Sequence, residues 1–324
     1  MKNNKRIIFF GTPEFASAQL TNIIQSGFEV AAVVTAPDKP AGRGKKLQQS
    51  DVKEVALTFN LPVLQPDKLK DEAFIRTLKT FDADIFVVIA FRMLPEIVWR
   101  MPKLGTINLH ASLLPHYRGA APINRAIMNG ESVTGLTTFF INANIDEGNI
   151  IQQIKIEISE NETAGELHDC MVMAGKSLVI NTLNEIFAQS FHPEMQSESI
   201  PDGAILKTAP KIFKQDCQID WKKPINAIFN QIRGLSPYPT AFTTFISSSD
   251  QQLDLKVFHA SIEYCRPNEP LYSLVTDNKR FLKIALPEGY LHLLKVQQPG
   301  KKALEISEFL RGYQFTEIWQ VVYH

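Results

Sequence analysis

The chain has 324 residues, of which 44% are hydrophobic and 21% are charged, and its formal net charge is zero. This length exceeds one ordinary core and predicts two domains, while the composition excludes a disordered or collagen-like chain. Residues 1–200 are slightly acidic and the remainder slightly basic, which favours a polyanionic partner only weakly.

The first part of the chain alternates between strand-like and helix-like segments. Apolar, β-branched runs predict strands at 6–10, 30–36, 84–90, 105–110, 133–141 and 150–158. Helical patterns occupy 13–26, 51–60, 122–128 and 163–187. The last of these begins with a capping box, Thr163 and Glu166, and Asp51 is a candidate cap for the second. The alternation predicts an α/β fold with a largely parallel sheet covered on both faces.

The pattern changes after residue 189. Residues 190–207 are rich in proline and polar residues and predict a linker. One helical segment, 224–234, is then followed by short strand-like segments at 240–246, 253–260, 281–285 and 290–296. These predict a small barrel or sandwich. The expected organisation is therefore a first domain over 1–189, a linker over 190–207 and a second domain over 208–324.

The turn after the first strand does not have the pattern of a dinucleotide site. Residues 10–15 contain one glycine, Gly11, where the phosphate-binding fingerprint needs three. Pro13 suits the first position of a helix. The segment is therefore interpreted as a structural turn, and a nicotinamide or flavin cofactor is not expected.

A basic loop follows the second strand. Residues 37–46 contain two prolines and two glycines, which exclude a regular helix, and four cations, which are Lys39, Arg43, Lys45 and Lys46. One interpretation is a solvated surface loop. The other is an arm that contacts phosphates, since long loops without regular structure are often functional. The sequence leaves both open.

An amide, an imidazole and a carboxylate form the most informative group. Asn108 and His110 are two residues apart at the end of a predicted strand, so their side chains leave the same face. Asp146 lies in a glycine-containing turn and could orient the imidazole. An amide and a protonated imidazole can both donate to a developing oxyanion. Because no GxSxG elbow surrounds Ser112, the nucleophile is expected to come from the substrate, for example as an amine.

The residues around this trio carry a resemblance to a known family. The run from Ser112 through Asn124, read with Asn108 and His110, is similar to the signature of the methionyl-tRNA formyltransferases. Residues 10–15, 37–46 and 234–241 also resemble segments of that family, in the same order along the chain. Three positions depart from its usual pattern: Arg125, Glu147 and Asn149.

The resemblance implies a Rossmann-like formyltransferase domain and an OB-fold-like C-terminal domain. It implies transfer of a formyl group from 10-formyltetrahydrofolate to the α-amine of methionine on initiator tRNA, with Asn108, His110 and Asp146 as catalytic residues and no metal. The folate is expected to contact two segments, which comprise Phe91, Arg92, Met93 and Leu94, and Ser112, Leu113, Leu114 and Pro115.

The same resemblance implies where the tRNA binds. The expected contacts are Lys39, Arg43, Lys45, Lys46, Lys207 and Lys211. An OB-fold-like domain suits tracking of phosphates along one side of a tRNA. For any single one of these lysines, the alternative interpretation is an ordinary surface residue that does not bind tRNA.

Three cysteines, Cys170, Cys217 and Cys265, are far apart in the sequence. Their odd number and the absence of CxxC spacing favour reduced thiols, and hence a cytoplasmic location. The longest strongly apolar run, 85–91, is too short to span a bilayer, so no membrane association is expected. A monomer is expected because no interface pattern stands out.

Two other functions compete with this hypothesis. One is a folate-dependent formyltransferase acting on an amino sugar or a glycinamide nucleotide, but such small acceptors need neither the basic loop nor a large C-terminal domain. The other is a noncatalytic RNA-binding protein, against which the Asn108, His110 and Asp146 trio argues.

Overall fold

The computed structural model describes residues 5–41, 46–200 and 203–322. The chain divides into two compact units, each assembled from several stretches. The first comprises Met1–Gly119, Thr134–Ile156 and His168–Thr208, and the second comprises Ala120–Val133, Glu157–Leu167 and Ala209–His324. Nearly all of the predicted linker, residues 190–207, therefore packs as part of the first unit. The domain boundaries drawn from the sequence stay a prediction.

The elements up to residue 209 include both strands and helices. In chain order they are β1 (Arg6–Gly11), α1 (Glu14–Gln25), β2 (Glu29–Val34), β3 (Lys39–Ala41), β4 (Lys46–Gln48), α2 (Asp51–Thr58), β5 (Val63–Leu64), α3 (Glu72–Thr80), β6 (Ile85–Ile89), α4 (Glu96–Trp99), β7 (Thr106–His110), β8 (Arg118–Gly119), α5 (Pro122–Met128), β9 (Val133–Phe140), β10 (Ile150–Glu157), α6 (Ala164–Ala188) and β11 (Thr208–Ala209). Helix α3 and the hairpin formed by β3 and β4 were not predicted from the sequence.

The first unit is built on a seven-stranded sheet in the order β10-β9-β7-β6-β1-β2-β5. The pairs β1–β2, β1–β6, β2–β5 and β6–β7 are parallel, whereas β7–β9 is antiparallel. The predicted Rossmann-like, largely parallel sheet is thus confirmed. Gly11 is paired with Ile89, and Asn108 with Val88. The carboxyl ends of β1, β6 and β7 therefore lie along one edge of the sheet, where open α/β sheets bind their ligands.

Burial explains why the central strands read as continuous apolar runs. Residues 7–10 of β1 and 85–89 of β6 are almost fully buried, as expected for parallel strands covered on both faces.

Helix α2 is capped by Ser50, whose side chain accepts from the main-chain nitrogen of Lys53, and not by Asp51, which is its first residue. The capping box of α6 is present: Glu166 Oε2 accepts from the Thr163 main-chain nitrogen at 2.8 Å.

The second unit contains a β-barrel together with helix α5 and two later helices. Its further elements are α7 (Ile225–Leu235), β12 (Ala241–Ser247), β13 (Gln252–Glu263), β14 (Leu274–Thr276), β15 (Leu282–Leu286), β16 (Gly289–Gln297), β17 (Leu304–Glu305), α8 (Ile306–Gly312) and β18 (Trp319–Val321). The strand order is β14-β15-β16-β13-β12-β18, and the pairs β14–β15, β15–β16, β16–β13, β13–β12 and β12–β18 are antiparallel.

The two edge strands of this sheet approach each other. Ser273 and Gln320 form an isolated bridge, and Val321 N donates to Tyr272 O at 3.1 Å. The sheet is therefore a nearly closed antiparallel barrel, which confirms the predicted OB-fold-like class and leaves little unpaired edge. Alternating side chains of β12, such as Ala241 and Phe245, are fully buried in its core.

No helix within residues 5–41, 46–200 and 203–322 combines the length and apolarity needed to cross a bilayer.

Candidate active site

His110 is the last residue of β7, at the ligand-binding edge of the sheet. Its side chain is 7% exposed. Nε2 lies 2.8 Å from the carbonyl oxygen of Tyr117. Because a carbonyl can only accept, Nε2 carries a proton. The other nitrogen, Nδ1, faces Asp146 Oδ2 at 3.7 Å, which is close enough for a charge interaction but too long for a hydrogen bond. The ring therefore has acceptors beside both nitrogens.

Asp146 occupies a strained turn between β9 and β10. Its φ is +55°, in the left-handed region that few non-glycine residues adopt. Its Oδ2 accepts a hydrogen bond from Gly119 N at 2.9 Å. The carboxylate is thus held by the main chain of the segment 117–119, which also supplies the carbonyl bound to His110. This segment links the imidazole to the carboxylate.

Asn108 lies on β7 two residues before His110, as predicted. Its side-chain oxygen Oδ1 is buried and accepts no hydrogen bond from the residues that the structure describes. A buried acceptor without a partner is costly in a folded protein, so such an atom usually marks a place where water or a ligand donates. The structure therefore brings Asn108, His110 and Asp146 to one edge of the sheet, with Asn108 still able to bind a donor.

Residues 91–94, predicted to contact folate, follow β6 at this same edge. The Phe91 ring packs edge-on against Phe10, with 5.8 Å between ring centroids. Arg92 donates to the carbonyl oxygens of Pro66 and of Asp67, the latter at 2.8 Å. Met93 is two-thirds exposed and Leu94 is buried. The segment therefore offers one exposed apolar side chain and main-chain groups to a ligand.

Residues 112–115 form a loop held by local hydrogen bonds. Ser112 is fully buried, and its hydroxyl donates to His116 O at 2.7 Å. Thr137 Oγ1 donates to Ser112 O at 2.7 Å and accepts from Leu114 N at 3.2 Å. Leu113 is half-buried, and the Leu114–Pro115 peptide bond is cis. The Ser112 hydroxyl has a structural partner, so a ligand would meet the neighbouring main chain and apolar side chains of this loop.

The predicted tRNA contacts are spread over both units. Lys39 and Lys207 are exposed residues of the first unit, and Lys211 is an exposed residue of the second. Arg43 and Lys45 lie outside the described residues, as does the side chain of Lys46. The base of the basic loop is fixed, since Lys53 Nζ and Gln65 Nε2 bind Asp38 at 2.6 and 2.7 Å. These contacts, Lys53 first, lower the pKa of Asp38.

Sequence reasoning missed several residues around the trio. Gln196 lies in the predicted linker but is only 3% exposed, and its side chain donates to the main-chain carbonyls of Asp146 and Gly148 at 2.9 and 2.8 Å. Arg118 and Gly119 belong to the signature run, but nothing in the run indicates what they contact. No sequence signal distinguishes Gln196 from other polar residues of its segment.

The three departures from the family pattern have identifiable contacts. Arg125, in the second unit, donates to Pro210 O at 3.2 Å and pairs with Asp216 at 3.2 Å. Glu147 accepts from Arg118 at 2.9 Å. Asn149 accepts a main-chain hydrogen bond from Phe140 at 2.9 Å. Two of the three thus stabilise the turn that carries Asp146.

No group of three or more His, Cys, Asp or Glu side chains in the described parts of the chain could hold a metal ion.

Comparison with known proteins identifies the family. The formyl transferase family matches residues 5–183, and the formyl transferase C-terminal domain matches residues 211–314. The chain is 46% identical over 316 residues to the methionyl-tRNA formyltransferase of Bacteroides thetaiotaomicron, covering 98% of each chain. It is 47% identical over 312 residues to that of Flavobacterium johnsoniae, covering 96% of this chain and 97% of the relative.

Solved structures share the fold at low sequence identity. One is WlaRD, a sugar 3N-formyl transferase, with a TM-score of 0.64, 21% identity and coverage of 92% of this chain and 99% of that chain. Another is HypX from Aquifex aeolicus in complex with tetrahydrofolic acid, with a TM-score of 0.61, 16% identity and coverage of 98% and 51%. By its two matching domains and its close relatives, the chain belongs to the methionyl-tRNA formyltransferase family.

Proposed function

We propose that this protein transfers the formyl group of 10-formyltetrahydrofolate to the α-amine of methionine carried on initiator tRNA. The observation that carries the proposal is the pairing of His110 with Asp146 beside Asn108 at the carboxyl end of β7. In a chain of this family, that arrangement suits acyl transfer to an amine that the substrate supplies.

Asn108 binds the reacting groups in this proposal. Its amide nitrogen donates to the oxygen of the transferring formyl group, where negative charge develops. Its buried Oδ1 has no partner among the described residues, and an N–H group of a bound substrate would satisfy it. An amide that donates to one reactant and accepts from another also fixes their relative orientation.

His110 and Asp146 supply charge and a route for the proton. Because Nε2 is engaged by Tyr117 O, the nitrogen that faces the reacting group is Nδ1. A proton at Nδ1 stabilises the developing oxyanion, and the Asp146 carboxylate lies 3.7 Å from the same nitrogen. As the amine attacks, it loses a proton, which Asp146 can pass, directly or through a water molecule, to the departing folate nitrogen as the bond between that nitrogen and the formyl carbon breaks.

The formyl donor is proposed to lie against residues 91–94 and 112–115. The exposed Met93 and the half-buried Phe91 and Leu113 provide apolar surface for a planar ring. Main-chain groups provide the polar contacts, since the side chains of Arg92 and Ser112 are already bound within the protein. The residues present thus fit a folate-derived donor.

The tRNA is proposed to contact the exposed cations of both units. Lys39, Lys207 and Lys211 can neutralise phosphates, and Arg43, Lys45 and Lys46 complete the set. Lys211 Nζ also lies 5.7 Å from the centre of the exposed Phe213 ring, a pairing that can stack on an unpaired base. A cytoplasmic monomer remains our expectation for the protein's location and assembly.

The direct test is a formyl-transfer assay. The purified protein is incubated with 10-formyltetrahydrofolate and either methionyl initiator tRNA, a nucleotide-linked amino sugar or glycinamide ribonucleotide, and N-formyl product is measured. We expect product only with the tRNA. Product with one of the small acceptors alone would show that the protein is a formyltransferase of another class. No product with any acceptor would reject a catalytic role.

A further inference from the structure

The turn that carries Asp146 is mostly exposed, so burial in a core does not hold it in place. Residues 143–145 and Glu147 are exposed, and the Ile145 side chain is 61% exposed. Only Gly148 is packed tightly, because a Cβ there would lie 1.5 Å from Phe140 O. A carboxylate that must stay beside His110 therefore needs other restraints.

Gln196 provides a restraint from outside the turn. Its Nε2 donates one hydrogen bond to Asp146 O and one to Gly148 O, at 2.9 and 2.8 Å. Its Oε1 accepts two hydrogen bonds from Arg118, from Nε at 3.0 Å and from Nη2 at 2.7 Å. Among the described residues, the partners of Nε2 are acceptors and those of Oε1 are donors, so these contacts fix the orientation of the amide.

Arg118 closes the network around the turn. Its Nη1 donates to Glu147 Oε1 at 2.9 Å, so the guanidinium binds the side chain of the residue between the two carbonyls that Gln196 holds. The next residue, Gly119, donates its main-chain N–H to Asp146 Oδ2. Arg118 thus restrains the turn through its side chain, and its neighbour restrains the carboxylate itself.

We propose that Gln196, oriented by Arg118, is a positioning residue for catalysis: it fixes the Asp146 turn so that the carboxylate stays beside Nδ1 of His110. The inference rests on the proposed function, because it assigns Asp146 a part in the reaction. Displacement of a catalytic group by about 1 Å can lower a rate by about a hundred-fold. Two hydrogen bonds to the main chain on either side of Glu147 are well placed to prevent such a displacement.

The second unit contains a matched control. Gln231 is also buried, at 7% exposure, and its Nε2 also donates to two main-chain carbonyls, Asp216 O at 3.0 Å and Gln218 O at 2.8 Å. Gln196→Met and Gln231→Met each remove two hydrogen bonds from Nε2 to main-chain carbonyls with little change in volume, and Gln196→Met also removes the two that Oε1 accepts from Arg118. Only the first of these changes affects the turn that carries Asp146.

We expect both methionine variants to stay folded, with the larger loss of thermal stability in Gln196→Met, and to differ in activity. In Gln196→Met, kcat should fall about ten-fold or more while KM for the tRNA stays within about two-fold, because the reacting groups and not the tRNA contacts are displaced. In Gln231→Met, kcat should stay within about two-fold. Gln196→Glu should be as slow as Gln196→Met, since a carboxylate accepts from Arg118 but repels the two carbonyls.

A structural readout separates this inference from the proposed function. In a crystal structure of Gln196→Met without substrates, the distance from His110 Nδ1 to Asp146 Oδ2 should exceed the 3.7 Å of the native protein by about 1 Å. If Gln196→Met does not fold, the same distance is measured in Arg118→Lys, which keeps the charge but loses the paired hydrogen bonds to Gln196 Oε1. An unchanged distance, or equal kcat in the two methionine variants, overturns the inference. Failure of the native protein to formylate methionyl-tRNA overturns only the proposed function.

Discussion

At the scale of single residues, the main chain determines what the candidate catalytic side chains can do. His110 is bound at Nε2 by a carbonyl oxygen, and Asp146 is bound at Oδ2 by a main-chain N–H. Both contacts come from residues 117–119, so one short segment sets the separation of the imidazole and the carboxylate. Asn108 differs from both, because its buried Oδ1 has no partner in the described part of the chain.

Replacement of Asn108 tests its role as an oxyanion donor. Asn108→Ala should lower kcat by about a hundred-fold or more, the usual loss for one such donor. Stability should change little, because the substitution also removes a buried acceptor that has no partner. Steady-state kinetics with both substrates gives kcat, and circular dichroism checks the fold. Near-native turnover would exclude the role.

Replacement of Arg43 tests the basic loop. We expect Arg43→Ala to reduce the preference for initiator over elongator methionyl-tRNA, since the loop around Arg43 is expected to enter the acceptor end and read its unpaired terminal step. The measurement is the ratio of kcat/KM for the two tRNAs. Lys79→Ala, at an exposed position near the end of α3, is the control. If the ratio is the same in both variants and in the native protein, the loop does not discriminate.

At the scale of elements, the barrel strands β13, β15 and β16 join their polar faces through one carboxylate. Glu263 on β13 binds Lys283 Nζ on β15 at 3.0 Å and His292 Nε2 on β16 at 2.6 Å. The hydrogen bond from His292, followed by that from Lys283, lowers the pKa of Glu263 from 4.5 to about 2. The three strands are thereby linked by polar contacts as well as by their main-chain hydrogen bonds.

This arrangement predicts how the barrel responds to acid. A carboxylate whose pKa is lowered by folding stabilises the protein fully above its unfolded pKa, 4.5, and loses that contribution as pH falls toward about 2. Glu263→Gln should therefore lower the melting temperature by about 1–3 °C at neutral pH, since partly exposed pairs contribute little, and this difference should shrink in acid.

The measurement is thermal unfolding at neutral pH and near pH 3 of the native protein, Glu263→Gln and a control, Glu288→Gln, at another exposed position. The control should match the native protein at both pH values. A difference between Glu263→Gln and the native protein that stays constant with pH would contradict the linkage.

At the scale of the whole molecule, each compact unit contains stretches that are not consecutive in the sequence. The second unit recruits Ala120–Val133 and Glu157–Leu167 from within the sequence of the first. Within that unit, Asn124 Nδ2 donates to Gly234 O at 2.8 Å, and the buried Arg233 donates to Glu162 O at 2.9 Å. Helix α7 therefore packs with segments from both recruited stretches.

Arg233 is expected to be important for stability. It is 7% exposed, burial lowers its pKa, and it also binds Asn230 Oδ1 at 2.8 Å. Arg233→Met should lower the free energy of unfolding by about 2–3 kcal/mol, because it leaves acceptors such as Glu162 O without a partner. Urea unfolding measures the change. Arg280→Met, at a position whose side chain is 84% exposed, should cost less than about 0.5 kcal/mol; equal losses would argue against a structural role for Arg233.

The sequence alone determined many of the local elements and the chemical identity of the trio. Continuous apolar runs predict the buried parallel strands, alternation predicts the barrel strands, and the spacing of Asn108 and His110 predicts a shared face. These features depend on periodicity and residue type, which are local. The capping box at Thr163 is equally local and is confirmed. The cap of α2 shows the limit of prediction from local sequence, because Ser50 and Asp51 are adjacent and both residue types are good caps.

Only the tertiary structure decided which distant segments complete the site. Gln196 binds the turn of Asp146 from 50 residues away, and Gly119 binds its carboxylate from 27 residues away. Such contacts arise from the path of the chain between strands and leave no periodic trace in the sequence. The same is true of the stretches recruited by the second unit. The sequence therefore indicated which groups are candidates for the chemistry, and the packing of non-adjacent segments determined how firmly they are held.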